Sequence, residues 1–371
     1  MKLLYLMTEP FGIGGVQSDL LILGRDLTRK GHEVHVATTP GVLLDELKSR
    51  GVRHANIDFH IRGIAGLWKA ARQLQEVVAR ERIDLVAPQS VRSAITAFIA
   101  LRVMSRRFRR IPLVVTIHNI HTPFHFRYAG AILERCADFV IFESNYERNR
   151  VTASGLPESR SVVVHSGIDI QRFASARLKE ELAARYGLDL SRHLIFGIVA
   201  RLSEEKGHNI LLDAFAKVAA EVPHARLLII GDGPLREEIT AHVNRLGLTE
   251  QVIFTGTQRD IPDYLQLMHV FVLSSTRESF PLAAREAMAA SRAVIAPRIG
   301  GCGEVVEEGV TGYLVAPRDV DSLAQSMLMI ARDNRYQSFG AAGYRRALRL
   351  FSCEAWVEGD ERIYQQYLRR T

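Results

Sequence analysis

Two basic side chains in the second half of the chain stand where an anionic ligand could bind. Arg201 ends an apolar run that is typical of a strand, and Lys206 follows just before Gly207 and a helical pattern. In an open α/β sheet, strand ends form the ligand crevice, and the amides at a helix N-terminus favour anions. A guanidinium and an ammonium there suit a diphosphate. Solvated surface charge is the alternative interpretation of the pair taken alone.

Two glutamates follow further along the chain. Glu278 lies on the loop after the apolar run 269–275, and Glu286 lies within a helix that begins near Pro281. Carboxylates accept hydrogen bonds from vicinal hydroxyls, so a sugar and a ribose are suitable ligands. The spacing of the two glutamates alone is a weak signal.

The order of the elements predicts two parallel α/β halves. A strand, a glycine loop, a helix and a second strand open the chain, and the alternation begins again from His193. Further first-half strands are predicted at 84–87, 113–116, 139–142 and 161–164. We therefore predict four parts: a first domain over 1–168, a linker over 169–192, a second domain over 193–354, and a helix over 355–371 that packs back on the first domain.

Composition narrows the class of protein. At 371 residues, 47% hydrophobic and 24% charged, the chain suits a globular protein with two cores. Three scattered cysteines are too few for a disulfide framework or a CxxC-type metal site. Glu9 and Pro10 interrupt the first apolar run, and no run reaches 18 apolar residues, so we expect a cytoplasmic protein.

Four segments carry a family resemblance. They are ARLSEEKG from Ala200, IIGDGP from Ile229, ESFPLAAREAMA from Glu278, and GGCGEVVEEGVTGYLV from Gly300. In this order and at these intervals, they resemble the C-terminal donor domain of retaining glycosyltransferases of family four (glycosyltransferase group 1). The resemblance implies the GT-B fold, in which two Rossmann-like doubly wound domains face each other across an interdomain crevice.

The resemblance also implies roles in the second domain. Arg201 and Lys206 would neutralise the donor diphosphate as catalytic residues, Glu278 would hold the sugar hydroxyls, and Glu286 would bind the ribose. The remaining donor-binding residues that it implies are Gly231, Asp232 and Gly233 in a turn, Thr257 near the base, and the backbone at Phe280, Pro281 and Leu282.

In the first domain the resemblance implies that Gly14 and Gly15 approach the donor phosphate or the acceptor, and that His118 is a catalytic contact to the donor sugar. His121 and His125 are expected on the surface or the acceptor side. The sequence departs from the family pattern at Gln89 and Ser166. A metal cluster around these histidines lacks a clear fourth ligand, and the family needs no metal or other cofactor.

A basic segment over 90–110 is predicted to form an amphipathic helix with a cationic end. The five arginines of this cationic end are Arg102, Arg106, Arg107, Arg109 and Arg110. By resemblance, they suit an anionic membrane surface, since several family members that act on lipid-linked acceptors dock through this region. The alternative is a core helix with solvated arginines. Nucleic acid is not expected, because the segment lacks interleaved aromatic residues.

The sequence thus predicts a metal-independent, retaining hexosyltransferase. It would move a hexosyl or N-acetylhexosaminyl group from a nucleotide diphosphate sugar, with uridine diphosphate (UDP) favoured, to a glycan or lipid-linked acceptor. Cell-surface polysaccharide, lipopolysaccharide or glycolipid biosynthesis is the expected setting, with peripheral binding to the inner face of the plasma membrane. The alternatives are a sugar-nucleotide epimerase of the same fold, a dehydrogenase suggested by the first glycine loop alone, and a basic polyanion-binding protein.

Overall fold

The structure, a computed structural model, describes residues 1–12, 14–59, 63–118 and 123–369, with only the backbone described over 123–126. The chain divides into two compact units. The first comprises Met1–Gly167 and Cys353–Thr371, and the second comprises Ile168–Ser352.

The first unit is built on parallel strands. The four strands β1 to β4 pair in the order β3-β2-β1-β4, and β5 to β7 pair in the order β5-β6-β7. A parallel bridge between Val86 and Leu113 joins β4 to the start of β5. The strands are β1 Lys2–Leu6, β2 Glu33–Thr38, β3 Arg53–Asn56, β4 Leu85–Pro88, β5 Val114–Ile117, β6 Phe139–Phe142 and β7 Ser161–Val163.

Helices connect these strands as in any parallel α/β sheet. They are α1 Gly15–Arg29, α2 Leu44–Ser49, α3 Gly63–Glu81, α4 Val91–Phe98, α5 Pro123–Cys136 and α6 Asn145–Thr152, and α16 Cys353–Leu368 returns from the end of the chain. Helix α16 packs against α1 and places Trp356 and Tyr364 in the same apolar core as Leu3 and Tyr5 of β1. The C-terminal residues therefore belong to the first unit.

The second unit holds a single six-stranded parallel sheet in the order β10-β9-β8-β11-β12-β13. Its strands are β8 Leu194–Val199, β9 Ala225–Ile230, β10 Val252–Gly256, β11 Val270–Val272, β12 Ala293–Pro297 and β13 Gly312–Val315. Counted within the unit, this is the doubly wound order 3-2-1-4-5-6. Its order reverses between β8 and β11, and ligands of such sheets bind outside the carboxyl ends of the strands at this reversal.

The helices of the second unit cover both faces of the sheet. They are α7 Ile170–Ala174, α8 Glu180–Arg185, α9 His208–Glu221, α10 Arg236–Arg245, α11 Ile261–Gln266, α12 Leu282–Ala289, α13 Cys302–Val305, α14 Val320–Asp333 and α15 Tyr336–Leu350. The residues predicted as a linker form α7 and α8. Phe173, Ala183 and Leu188 are buried in a core cluster of the second unit, because these apolar side chains give the segment its own contact with the sheet.

The basic segment differs from its predicted form. Helix α4 ends at Phe98, a π-helical turn runs over Ile99–Val103, and the residues from 104 to 111 lie on bends and turns. Arg102 folds the segment back by donating to the carbonyl oxygen of Ile111 at 2.9 Å and pairing with Asp138 at 2.8 Å. The prediction of a helix through Arg110 is therefore wrong, and Arg102 is a structural residue of the turn.

Among the described residues, no helix is long and apolar enough to cross a membrane.

Candidate functional site

Lys206 and Glu278 meet at the strand reversal of the second unit. The Nζ atom of Lys206 lies 2.7 Å from Oε1 of Glu278, and the Oγ atom of Ser275 donates to the same oxygen at 2.7 Å. Lys206 follows β8 and Glu278 follows β11, the two strands at which the sheet order reverses. The side chains remain 26% and 10% exposed, so this charged pair is partly accessible to solvent at the carboxyl edge of the second unit's sheet.

Two glycines permit the close approach of the loops that carry this pair. Gly207 has a φ of +63°, and a Cβ atom there would lie 2.2 Å from the carbonyl oxygen of Ser274. Gly300 has a φ of +52°, and its Cβ would lie 1.8 Å from the carbonyl oxygen of Glu278. Only glycine accepts both the left-handed backbone and these contacts. The KG and GG pairs of the sequence thus position Lys206 and Glu278.

Arg201 and Glu286 lie in the same unit as Lys206 and Glu278. The guanidinium of Arg201 is exposed, and the Glu286 carboxylate is half-buried. Within the described ranges, neither side chain makes a hydrogen bond or a salt bridge. Burial raises the pKa of Glu286 to about 7, against the lowering effect of Arg285 and Arg172. Glu286 is therefore an acceptor that is available to a hydroxyl-bearing ligand.

The turn at Gly231, Asp232 and Gly233 packs against the loop that leaves β8. The main-chain nitrogen of Leu202 donates to the oxygen of Asp232 at 3.0 Å, and a Cβ at Gly233 would lie 2.4 Å from the Leu202 oxygen. The side chains of Asp232 and Thr257 are exposed. The turn therefore contacts Leu202, the residue that follows Arg201.

The segment Phe280, Pro281 and Leu282 leads from Glu278 into α12. Pro281 is the N-cap residue of the helix, and Leu282 is its first residue. The Phe280 ring is buried against Phe351 at 5.7 Å between centroids and lies under the Arg285 guanidinium at 4.2 Å. These contacts hold the N-terminus of α12 in place.

His118 is the centre of a second cluster, in the first unit. Its Nδ1 atom lies 2.6 Å from Oε1 of Glu143, and its Nε2 atom lies 2.8 Å from Oε1 of Gln89. Gln89 donates its own amide to the oxygen of Ala87, which leaves Oε1 for His118. Both ring nitrogens therefore face acceptors, and the imidazole carries both protons. Gln89, His118 and Glu143 follow β4, β5 and β6, so the sheet brings them together.

Further carboxylates surround this imidazole. Asp19 of α1 lies 3.6 Å from Nδ1, and Asp360 of α16 interacts electrostatically with both His118 and Glu143. Burial lowers the pKa of His118, but the charge and hydrogen bond of Glu143, with Asp19 and Asp360, outweigh it and raise the pKa to about 9. Burial and the charge of Glu143 raise the pKa of Asp360 to about 8. His118 is thus a fixed cation at neutral pH.

The sequence singled out His118 and noted Gln89 as a departure from the family pattern, but it predicted no contact between the two and missed Asp19, Glu143 and Asp360. Polar residues directly after the apolar strands β4 and β6 were the signal available for Gln89 and Glu143. Gly14 is the N-cap residue of α1, and a Cβ at Gly15 would meet nothing within 4 Å. His121 and the side chain of His125 lie outside the described residues.

Among the residues that the structure describes, two groups of side chains have ligand atoms close enough to share a cation. They are Asp19, His118 and Glu143 in one group and Glu33, His35 and Glu81 in the other, each with ligand atoms within 4.8 Å of one another. In the first group the two nitrogens of His118 already serve as hydrogen-bond donors. Burial and the charge of Glu278 raise the pKa of the Cys302 thiol to about 12, so this thiol is protonated at neutral pH.

The architecture matches that of a protein solved with UDP and glucose bound. A crystal structure of HepE from Anabaena in complex with UDP and glucose superposes with a TM-score of 0.83 at 23% identity, covering 98% of this chain and 99% of that one. Two Rossmann-like α/β units in this arrangement of strands define the GT-B fold of glycosyltransferases.

Two family models identify the chain within that class. The model for Glycosyltransferase Family 4 matches residues 13–172, and the model for Glycosyl transferases group 1 matches residues 193–333. The chain therefore belongs to the group 1 and family 4 glycosyltransferases, as the sequence motifs predicted.

Two curated relatives illustrate the range of the family. The N-acetyl-alpha-D-glucosaminyl L-malate synthase of Bacillus anthracis is 27% identical over 94% of this chain and 92% of its own length. The GDP-mannose-dependent alpha-(1-6)-phosphatidylinositol monomannoside mannosyltransferase of Mycolicibacterium smegmatis is 32% identical over 57% of this chain and 58% of its own. Neither relative is named as an epimerase, so the epimerase alternative gains no support.

Proposed function

We propose that the chain is a retaining hexosyltransferase that uses a UDP-sugar donor and a glycan or lipid-linked acceptor in cell-surface polysaccharide or glycolipid biosynthesis. The observation that carries this proposal is the Lys206–Glu278 pair, 2.7 Å apart at the strand reversal of the second unit. A cation and a carboxylate at that point suit the two halves of a nucleotide sugar, because one neutralises phosphate and the other accepts from sugar hydroxyls.

The neighbouring residues complete the proposed donor site. Arg201, which has no salt bridge within the described part of the chain, joins Lys206 on the diphosphate, and Glu286 accepts from the ribose hydroxyls. The turn at 231–233 and the backbone at 280–282 line the site, and Thr257 lies near the base. The mannosyltransferase relative uses GDP-mannose and the HepE structure holds UDP, so the base is the part of the proposal that most needs a direct test.

The chemistry we propose is same-face attack by the acceptor hydroxyl. The bond from the anomeric carbon to the diphosphate breaks as the acceptor oxygen bonds to that carbon, and the leaving diphosphate takes the acceptor proton. Arg201 and Lys206 stabilise the charge that develops on the diphosphate. His118 acts through its fixed positive charge, because both of its nitrogens already donate to Glu143 and Gln89 and neither can accept a proton.

Product stereochemistry tests this proposal. The purified protein is incubated with UDP-sugars and candidate acceptors, release of free UDP is measured, and the anomeric proton of the new linkage is observed by NMR. A product with the donor's anomeric configuration is expected. An inverted product would contradict the retaining mechanism, and conversion of the sugar nucleotide without UDP release would favour an epimerase.

We further propose that the transfer needs no metal, since Arg201 and Lys206 supply two positive charges to the diphosphate. Activity measured before and after treatment with a chelator should therefore be equal. Loss of activity that returns with added divalent cation would contradict this part of the proposal.

A further inference from the structure

The net charge of the protein is concentrated in one stretch of the first unit. Residues 85–133 contain seven arginines, no lysine and no acidic residue. The chain has 48 basic and 41 acidic residues, so removing these seven leaves 41 of each sign, and the formal charge of +7 resides in this stretch. The seven are Arg92, Arg102, Arg106, Arg107, Arg109, Arg110 and Arg127.

Three of these arginines line an open cavity. A space of about 810 Å³ is bordered by Arg102, Arg109 and Arg110, together with Arg160, Tyr367 and a single carboxylate, Asp138. Four guanidinium groups thus share one concave surface with one negative charge. We call this surface the arginine cavity. Its volume lies within the range of small-molecule sites, which is about 300–1,000 Å³.

The walls of the arginine cavity are held by the protein itself. Arg102 pairs with Asp138 at 2.8 Å, and Arg160 donates to the carbonyl oxygens of Glu134, at 2.7 Å, and of Ala137. Arg109 and Arg110 are exposed, and within the described residues Arg110 makes no hydrogen bond or salt bridge. Arg109 donates through Nε to the carbonyl oxygen of Arg102 at 3.3 Å, which leaves its terminal nitrogens for a ligand. Arg102 and Arg160 therefore build the cavity, while Arg109 and Arg110 line it with donors available to a ligand.

The arginine cavity is separate from the cluster around His118. Pro112, Asp138 and Arg160 precede the strands β5, β6 and β7, whereas His118 and Glu143 follow β5 and β6. Parallel strands have all their amino ends at one edge of the sheet. The cavity therefore lies at the edge of the first unit's sheet opposite His118 and Glu143, and the cluster around His118 does not account for it.

We propose that the arginine cavity binds a phosphate-bearing group. Guanidinium groups donate in the planar, paired geometry that matches phosphate oxygens, and several of them around one space give the site its charge. The phosphate comes either from an anionic lipid headgroup or from a soluble diphosphate. The site is independent of the proposed transferase function.

Chemical labelling of the full-length protein tests the site directly. Phenylglyoxal modifies accessible arginines, and peptide mass spectrometry after cleavage by a protease that does not cut at arginine reports the rate at each position. Inorganic pyrophosphate is expected to slow labelling of Arg109 and Arg110, with unchanged rates at Arg106 and Arg107, which lie on the same segment outside the cavity lining. The donor site does not interfere, because the readout is local.

A second arm distinguishes the source of the phosphate. Protection by phosphatidylglycerol vesicles but not by pyrophosphate identifies a lipid headgroup, and protection by both shows that a soluble phosphate suffices. Either result supports the site. Absence of protection by both, or equal protection of Arg106 and Arg107, overturns it.

Variants give an independent check by titration. The double replacement Arg109→Gln with Arg110→Gln should weaken binding of the protecting ligand about tenfold or more, because it removes charge-assisted hydrogen bonds. The control Arg345→Gln with Arg349→Gln removes the same charge from exposed positions of the second unit. Equal losses in the two double variants would show an effect of net charge alone and would contradict the site.

Discussion

Lys206 and Ser275 both donate to Oε1 of Glu278. A substitution at Glu278 can therefore test the role of the carboxylate while Lys206 stays in place. Replacing Glu278 with Gln removes the charge that pairs with Lys206 and leaves the ammonium free for phosphate. We expect turnover to fall about 100-fold, as for other positioned charges, while affinity for UDP stays equal or increases. Steady-state kinetics and calorimetric titration with UDP measure the two effects. Unchanged turnover would remove Glu278 from the reaction.

Arg201 and Lys206, the phosphate clamp of the proposed donor site, should each contribute to the affinity for UDP. Arg201→Ala and Lys206→Ala should each weaken UDP binding by roughly 2–3 kcal/mol, the size typical of a charge-assisted contact. Calorimetric titration measures the change, with the exposed Arg345→Ala as the matched control. Wild-type affinity in both clamp variants would contradict the assignment.

Glu286 should make donor binding depend on pH. Burial raises the pKa of its carboxyl group to about 7, so the group loses its acceptor charge as the pH falls through that value. We expect the Michaelis constant for the donor to rise below pH 7 and to level off above it. The neutral variant Glu286→Gln should have a raised and nearly pH-independent constant. A wild-type profile that is flat between pH 6 and 8 would contradict a ribose-binding carboxylate.

Helix α9 begins with a buried histidine whose ring nitrogens lack hydrogen-bond partners in the described part of the chain. His208 is 3% exposed, and both ring nitrogens lack a hydrogen-bond partner among the described residues. An unsatisfied buried polar group destabilises a fold by about 1–3 kcal/mol. His208→Leu, of similar size, should therefore raise the free energy of unfolding by about 1 kcal/mol at pH 7.

The same substitution should alter acid sensitivity. Burial, followed by the charge of Lys206, lowers the pKa of His208 to about 4. The unfolded chain thus takes up this proton more readily, and wild-type stability is lost as the pH falls from about 6.5 toward 4. Denaturant unfolding at several pH values should show the gap between variant and wild type widening in that window. A constant gap would contradict this account.

The elements show what the sequence could and could not predict. Runs of Val, Ile, Leu and Phe gave the parallel strands, and the family motifs gave the GT-B fold. The helix predicted for the arginine segment was wrong because the helical spacing of the sequence continues past Val103. In the structure the chain turns there instead, and Arg102 donates to Asp138, which is 36 residues away. The contacts of Gln89 and Glu143 with His118 were missed for the same reason, since they depend on strands β4, β5 and β6 lying together.

The thermal stability of the whole protein should depend on which nucleotide is bound. A ligand that binds only the folded protein adds about 2.7 kcal/mol at one hundred times its dissociation constant. We expect UDP to raise the melting temperature more than GDP at equal concentration, and Lys206→Ala to lose the shift. A larger shift with GDP would reassign the base while leaving the family unchanged.

The length of strand β5 fixes the distance between the arginine cavity and His118. Strand β5 spans four residues between the arginine cavity and His118, which is a rise of roughly 13 Å at 3.3 Å per residue. A protein resting on an anionic surface through that cavity would hold His118 at least about this far from the phosphates. Hydroxyls level with the headgroups would then be out of reach, and acceptors would be selected by how far they extend from the surface.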